Sequence, residues 1–128
     1  MQRPLIALFI LVLCVTSAAA AAEPSPIGHW ARGDGKAVVS IEACGRELCA
    51  VNTWIKPGTK DEHVGDRLIM NVQKEGATAY SGTASDPQRS LSYSLRIDVA
   101  DQKMTTRGCI MLGLLCKDMA WSRVAEPR

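Results

Sequence analysis

Several features that would assign a chain to a familiar functional class are missing from these 128 residues. No block of Lys or Arg is present, and the formal net charge is only +2. Because binding to nucleic acid needs clustered positive charge, we expect no nucleic-acid partner. No stretch shows the 3.6-residue apolar period of an amphipathic helix, which argues against a helical fold.

Catalytic motifs are also missing. The chain has no Gly-x-Ser-x-Gly segment and no Cys-x-x-Cys pair, the patterns of many hydrolases and thiol oxidoreductases. Of the two histidines, His29 and His63, the second lies near Asp61, Glu62 and Asp66. Metal ligands must converge, and this spacing favours a solvated loop instead. We therefore expect no catalytic residue, no metal and no cofactor.

The one long apolar run is at the N-terminus. A single positive charge at Arg3 precedes apolar residues 5–15 and small residues 17–22. This order is typical of a secretory signal peptide, so we predict that residues 1–22 are removed by cleavage within 18–22. A spanning helix needs about 20 apolar residues, more than this run offers. We expect residues 23–128 to form a single domain, periplasmic or secreted, with no transmembrane span.

Four cysteines remain in residues 23–128, and they are Cys44, Cys49, Cys109 and Cys116. An exported chain meets an oxidising compartment, where an even number of cysteines favours disulfides over a zinc site. Three connectivities are possible. The short separations favour local pairing, Cys44 with Cys49 and Cys109 with Cys116, because each pair flanks the turn of a predicted hairpin.

Short segments of alternating polarity cover the rest of the chain. The clearest is 91–99, where apolar and polar residues alternate. Turn signals separate the segments at 33–35, 57–58 and 86–87, among others. The sequence therefore predicts an all-β fold, an eight-stranded antiparallel up-and-down barrel. The interior of such a barrel is filled by side chains or holds one small ligand. A two-sheet sandwich is the structural alternative.

Two motifs at the ends of the predicted barrel resemble the calycin arrangement of lipocalins. Gly28-x-Trp30 opens the first strand, and Trp121-x-Arg123 closes the last. The resemblance implies that the N-terminal Trp lies at the closed end of the barrel and that the C-terminal Arg packs over it. A cation over an indole contributes about 0.5–2 kcal/mol. The resemblance thus assigns these residues to barrel closure.

A second resemblance covers nearly all of residues 23–128. The motifs that carry it are Gly28-His29-Trp30, Asp34-Gly35, Cys44-Gly45-x-x-Leu48-Cys49, Tyr80-x-Gly82-x-x-x-Asp86-Pro87 and Trp121-Ser122-Arg123. In this order they are similar to a family of small exported bacterial proteins labelled as a domain of unknown function, number 2147. The resemblance implies a lipocalin-like barrel outside the cytoplasm, and it supplies no activity. The chain departs from the family pattern in its middle loop, 60–67.

An apolar segment lies between the last two cysteines. Two interpretations are open: it folds inward and plugs one end of the barrel, which we favour, or it contacts a ligand, a membrane or a partner. Trp54 and Tyr93 are further candidates, because they would line a cavity if one exists. The candidate contact residues of the segment itself are Ile110, Met111, Leu112, Leu114 and Leu115.

The function we expect from these features is binding without catalysis. An exported barrel would hold a small apolar or amphipathic ligand, or it would serve envelope maintenance with an envelope protein as partner. The alternative is a protein-binding module such as a periplasmic metalloprotease inhibitor. Small exported bacterial barrels of this kind include inhibitors that insert an N-terminal tail into the protease.

Overall fold

A computed structural model of the chain describes residues 1–2, 4, 10–19 and 23–126. Part of the predicted signal peptide, including residues 20–22 of its cleavage region, lies outside the described residues. Residues 1–2, 4 and 10–19 form neither helix nor strand. In the part of the chain that is described, no helix has the length and apolar character needed to cross a membrane.

Eight strands and no helix make up residues 28–124. The strands are β1 Gly28–Arg32, β2 Ala37–Cys44, β3 Glu47–Ile55, β4 Arg67–Lys74, β5 Ala79–Asp86, β6 Leu91–Val99, β7 Lys103–Ile110 and β8 Leu115–Val124. Each strand pairs with its neighbour in the chain, and β8 pairs antiparallel with β1, so the sheet closes on itself. The predicted up-and-down barrel is confirmed, and the sandwich alternative is wrong. Closure gives each of the eight strands a paired neighbour on both sides.

The two ends of the barrel differ in what they contain. At the end that we call the open end, turns join β1 to β2, β3 to β4, β5 to β6 and β7 to β8. The other end, which we call the closed end, holds the remaining turns and residues 25–27. The two disulfides also lie at opposite ends, Cys44–Cys49 at the closed end and Cys109–Cys116 at the open end. The predicted local pairing is confirmed.

The core fills the closed half of the barrel. Trp30 and Ile97 are fully buried, and Met70 is nearly so. Leu68 and Val72 pack against them from β4, as the alternation of that strand predicts. Inward-facing apolar residues are supplied by the period of two that every strand shows. The remaining members of the buried cluster are Val39, Ile41, Ala84, Leu95, Val99 and Met104.

Arg123 covers the buried indole of Trp30 at the closed end. Its guanidinium carbon lies 4.2 Å from the centre of the Trp30 ring, within cation–π range. The indole Nε1 donates to the carbonyl oxygen of Pro26 at 2.8 Å. A Cβ at Gly28 would lie 2.5 Å from Nη1 of Arg123 and would displace the guanidinium, and the φ of 137° at Gly28 also favours glycine.

The same guanidinium binds three backbone carbonyl oxygens. It donates from Nη2 to Ser25 and from Nη1 to Ile27, both at 2.9 Å, and from Nε to Asp101 at 2.6 Å. The segment before β1 and the turn between β6 and β7 are therefore held to the last strand. Each of the three guanidinium nitrogens therefore has a backbone acceptor, and the group serves the structure of this end of the barrel.

Trp121 has a different position from Arg123. It pairs with Arg32 of β1, whereas Arg123 pairs with Trp30, so Trp121 lies nearer to the open end. Its indole is partly buried against the core and donates from Nε1 to Oγ1 of Thr106 at 3.0 Å. The ring is part of the wall of the cavity described below.

Gly82 on β5 is required by the close approach of β4. A Cβ on Gly82 would lie 2.0 Å from the backbone oxygen of Asn71, which no side chain could accept without a shift of the strand. A glycine within a strand often marks such a close approach of a neighbouring backbone.

Candidate functional site

A cavity of about 530 Å³ opens at the open end of the barrel. This volume lies within the range of about 300–1,000 Å³ that is typical of small-ligand sites. At its deep end, the cavity is bounded by the residues of the core. The walls there are apolar and include Ile41, Ala50, Leu68, Leu95, Met104 and Trp121. The strands thus place an apolar compartment above the closed half of the barrel.

Tyr93 lies between this compartment and the mouth. It lines the cavity, and its ring occupies the space that a side chain would take at Gly108 of β7, where a Cβ would lie 2.8 Å from the Tyr93 ring. Burial raises the pKa of the Tyr93 phenol, and the nearby carboxylate of Asp86 adds to the effect. The phenol is therefore uncharged at neutral pH and can donate a hydrogen bond.

One side of the mouth is built from ion pairs around Arg32. This residue ends β1 and binds Glu62 with both terminal nitrogens, at 2.5 and 2.8 Å, while its Nε binds Asp34 at 3.0 Å. The hydrogen bonds from Arg32 hold the pKa of Glu62 below its ordinary value, and those to Glu62 raise the pKa of Arg32. Both groups are charged at neutral pH, and the bidentate geometry fixes the loop that carries Glu62.

A second set of contacts holds the same loop from the β5–β6 turn. Arg89 binds Asp86 at 2.8 Å and donates to the backbone oxygen of Asp61. Gln88 pairs through its side-chain amide with the backbone N–H and C=O of Arg67, each at 2.8 Å. Burial opposes ionisation of Asp86, but hydrogen bonds from Arg89 and Gln88 outweigh it, so the pKa of Asp86 is lowered. The loop 56–66 is therefore tied across the mouth from two sides.

The other side of the mouth is apolar. Leu91, Ile110 and Leu115 continue the inner walls of β6, β7 and β8 up to the rim. Beyond them, Met111, Leu112 and Leu114 form the turn of the last hairpin. The mouth is thus amphipathic, with ion pairs on the side of β1 and the 56–66 loop and aliphatic side chains on the side of the β7–β8 hairpin.

The apolar segment does not plug the barrel, and that prediction is wrong. Pairing between β7 and β8 continues to Ile110 and Leu115, so the turn itself is only 111–114. Met111 and Leu112 both adopt a left-handed backbone, with φ of 54° and 55°, and this reverses the chain tightly. Strand pairing therefore carries the turn past the rim, and its side chains are exposed.

A model of a family described as "Uncharacterized protein conserved in bacteria (DUF2147)" matches residues 28–123. The chain belongs to this family. The prediction made from the motifs is thereby confirmed, and the matched segment runs from Gly28 on β1 to Arg123 on β8. No curated protein and no solved structure matches the chain significantly.

Trp54 does not line the cavity of this DUF2147 barrel, contrary to expectation. Asn52 of β3 pairs with Val39, but Trp54 pairs with the preceding residue, Val38, so Thr53 is an extra residue in the ladder. This bulge reverses the alternation beyond Asn52 and turns the indole outward. Trp54 is accordingly 45% exposed on the outer face.

The loop carboxylates of the DUF2147 chain serve structure and do not surround His63. Glu62 is bound to Arg32, and Asp66 accepts from the backbone N–H of His63 at 3.0 Å. The His63 ring itself is 79% exposed. Within the described part of the chain, no three His, Cys, Asp or Glu residues are grouped so that they could hold a metal ion.

The sequence did not indicate the residues that form the polar side of the cavity mouth, among them Arg32 and Glu62. Arg32 and Glu62 are 30 positions apart and carry no shared motif, so only the fold brings them together. A turn was predicted at 86–87, but nothing in the sequence indicated that this turn holds the 56–66 loop. Tyr93 was identified as a cavity residue because the alternation of β6 is regular along its whole length.

Proposed function

We propose that this DUF2147 barrel is an exported, non-enzymatic protein that binds a small apolar or amphipathic molecule in its cavity. The observation that carries the proposal is the apolar compartment of about 530 Å³, which is open to solvent at one end. Transfer of apolar surface from water into such a compartment is favourable by about 25 cal/mol per Å². The apolar part of a ligand would occupy the space beneath Tyr93, in contact with Leu95 and Trp121.

The mouth favours an amphipathic ligand over a purely apolar one. On the polar side of the rim, Arg32 is paired with Glu62 and Arg89 with Asp86. This side therefore offers a ligand hydrogen-bonding groups and no isolated charge. The phenol of Tyr93 is a further donor at the boundary between the two zones. A polar head group would lie at this rim while the chain of the ligand enters the barrel. If the ligand is an envelope component, the protein serves envelope maintenance.

Export to the periplasm or the cell exterior is the second part of the proposal. It is supported by the signal-peptide pattern of residues 1–22 and by the two disulfides, which are typical of proteins in oxidising compartments. The inhibitor alternative is not supported in the same way. Residues 25–27 are bound to the barrel by Arg123 and by burial of Pro26, so this segment is not free to enter a protease.

The proposal is tested by measuring whether the purified protein retains a bound small molecule. Native mass spectrometry of the protein purified from its host, before and after incubation with envelope lipid extract, should show an added mass of lipid size. Ala50→Trp places an indole in the cavity and should abolish that added mass. Ser92→Trp adds the same side chain to an exposed outward position on β6 and should leave the added mass unchanged.

Two results would contradict the proposal. One is wild-type protein that carries no added mass and does not bind a fluorescent anilinonaphthalene probe. The other is equal retention by the Ala50→Trp and Ser92→Trp variants, which would show that any bound molecule lies outside the cavity. Circular dichroism of both variants establishes that they are folded.

A further inference from the structure

The turn of the last hairpin presents an unusually apolar surface to solvent. We call residues 110–115 the apolar tip. Its large side chains range from 37% exposed at Ile110 to 106% exposed at Leu112. The nine residues 108–116 contain no ionisable side chain and no hydroxyl group. Contiguous exposed apolar surface of this kind marks a binding surface on a soluble domain.

The backbone of the apolar tip is largely bonded within itself. The N–H of Gly113 donates to the carbonyl oxygen of Ile110, and the N–H of Leu114 donates to that of Met111, both at 3.2 Å. Ile110 and Leu115 pair across the ladder. Moving polar backbone groups into hydrocarbon is costly unless they are already hydrogen-bonded. A projecting tip with internal backbone bonds and aliphatic side chains is therefore suited to a lipid phase.

The charges next to the tip have one sign. The first ionisable residues outside 108–116 are Arg107 on β7 and Lys117 on β8, and both are cationic. Arg107 binds Asp118 at 2.7 Å, so these two charges offset each other and Lys117 supplies the net positive charge next to the tip. Lys117 lines the mouth of the cavity, whereas Arg107 and its partner Asp118 border a depression on the outer face, so each face of the hairpin carries a cationic group.

The spacing of these groups matches the depth of a membrane interface. A strand rises about 3.3 Å per residue, so the end of the tip lies about 10 Å beyond Lys117. Apolar faces of interfacial proteins are buried about 5–10 Å, with their cations at the level of the lipid head groups. The Cys109–Cys116 disulfide holds the hairpin in one conformation, so little chain entropy is lost when it binds.

We propose that the apolar tip inserts into the surface of an anionic phospholipid bilayer, with Arg107 and Lys117 at the head groups. Docking in this way turns the open end of the barrel toward the membrane. Leu91 and Leu115, which line the mouth, then face the lipid. The proposal concerns docking alone and holds whether or not the cavity takes a ligand.

The test is co-sedimentation of the purified protein with vesicles. We expect binding to vesicles of phosphatidylcholine with phosphatidylglycerol, weaker binding to phosphatidylcholine alone, and a loss of binding as salt is raised. Leu112→Ser with Leu114→Ser should weaken binding by at least about tenfold, because two aliphatic side chains leave the hydrocarbon. Both residues are exposed, so the substitutions remove no core contact.

Three further variants separate the roles of the apolar tip, of charge and of the cavity in vesicle binding. Ile27→Ser removes an exposed aliphatic side chain from the closed end and should leave vesicle binding unchanged. Lys117→Gln should weaken binding to the anionic vesicles and leave binding to phosphatidylcholine unchanged. The Ala50→Trp variant should bind vesicles like the wild type, which distinguishes docking from ligand binding.

Three outcomes would overturn the proposal. Wild-type protein could fail to sediment with either type of vesicle. The Leu112→Ser, Leu114→Ser variant could bind as tightly as the wild type. Analytical ultracentrifugation could show a wild-type dimer that the same variant converts to monomer, in which case the tip binds a second copy of the chain and not a membrane.

Discussion

At the scale of single residues, the three tryptophans show how position in the barrel decides what the same side chain does. Trp30 is fully buried and hydrogen-bonded, Trp121 is half-buried in the cavity wall, and Trp54 is on the outer face. Their sequence contexts are all short strands with apolar neighbours. The differences come from the ladder, which places Trp30 against Arg123 and turns Trp54 outward at the bulge.

Trp30→Ala and Trp54→Ala should therefore differ strongly in their effect on stability. We expect Trp30→Ala to lower the free energy of unfolding by about 3–5 kcal/mol, because it empties a buried site and removes the partner of Arg123. Trp54→Ala should cost less than about 1 kcal/mol, since its indole is already in contact with water. Urea unfolding followed by far-ultraviolet circular dichroism measures both. Equal losses would show that the assignment of Trp30 to the core is wrong.

What could be predicted from the sequence at this scale depended on regular alternation. Leu95 and Ile97 were placed inward correctly because β6 alternates without interruption along 91–99. Trp54 was misplaced because a single extra residue, Thr53, reverses the pattern without leaving a signal in the sequence. The Arg123 contact with Trp30 was reached through a family resemblance, since the two residues lie far apart along the chain.

At the scale of elements, the loop 56–66 behaves as a segment clamped to the open end. Glu62 holds it to β1 through Arg32, and the backbone of Gly65 and Asp66 extends the pairing of β3 at Asn52. Sequence polarity correctly indicated an exposed loop, but not that it is fastened across the cavity mouth. For the hairpin 110–115 the sequence was misleading, because its apolar residues suggested burial. The pairing of β7 with β8 shows instead that the hairpin extends beyond the rim of the barrel.

The contribution of Glu62 should depend on pH in a defined direction. Its pKa in the folded protein lies below the unfolded value of 4.5. The ion pair with Arg32 therefore contributes fully above pH 4.5 and is lost as the pH falls through the lowered pKa. At neutral pH, Glu62→Gln should lower the free energy of unfolding by about 1 kcal/mol, and this difference from wild type should shrink in acid.

Urea unfolding of wild type and Glu62→Gln across this pH range measures the difference. Glu47→Gln is the matched control, because Glu47 makes no ion pair in the described part of the chain. A difference between wild type and Glu62→Gln that stays constant from neutral to acid pH would contradict the assigned role of the ion pair.

At the scale of the whole molecule, the barrel depends on contacts between residues from opposite ends of the sequence. The β1–β8 ladder closes the sheet, and Arg123 adds hydrogen bonds to residues 96 and 98 positions earlier in the chain. The entropic cost of closing a loop rises with its length. The contacts between β1 and β8 close the longest loop in the barrel, so they must offset the largest loss of chain entropy. We call the β1–β8 pairing the seam of the barrel. The cavity exists only when the seam is intact, because its walls include strands from the N-terminal and the C-terminal half of the chain.

Arg123→Ala should therefore loosen the seam more than the rest of the barrel. It removes the cover of Trp30 and leaves three carbonyl oxygens without their donor, so we expect the free energy of unfolding to fall by about 2–4 kcal/mol. In native-state hydrogen exchange, amides of β1 and β8 should exchange faster than those of the β4–β5 pair.

Arg123→Lys provides the control that separates charge from geometry. A Lys keeps a cation near the Trp30 ring but cannot reach three carbonyl oxygens with a planar fork, so its seam amides should show intermediate protection. If Arg123→Ala instead accelerated exchange equally in all eight strands, the barrel would open as one unit, and the seam would not be its weakest part. Faster exchange confined to β1 and β8 would show that opening of the cavity wall begins where the two ends of the chain meet.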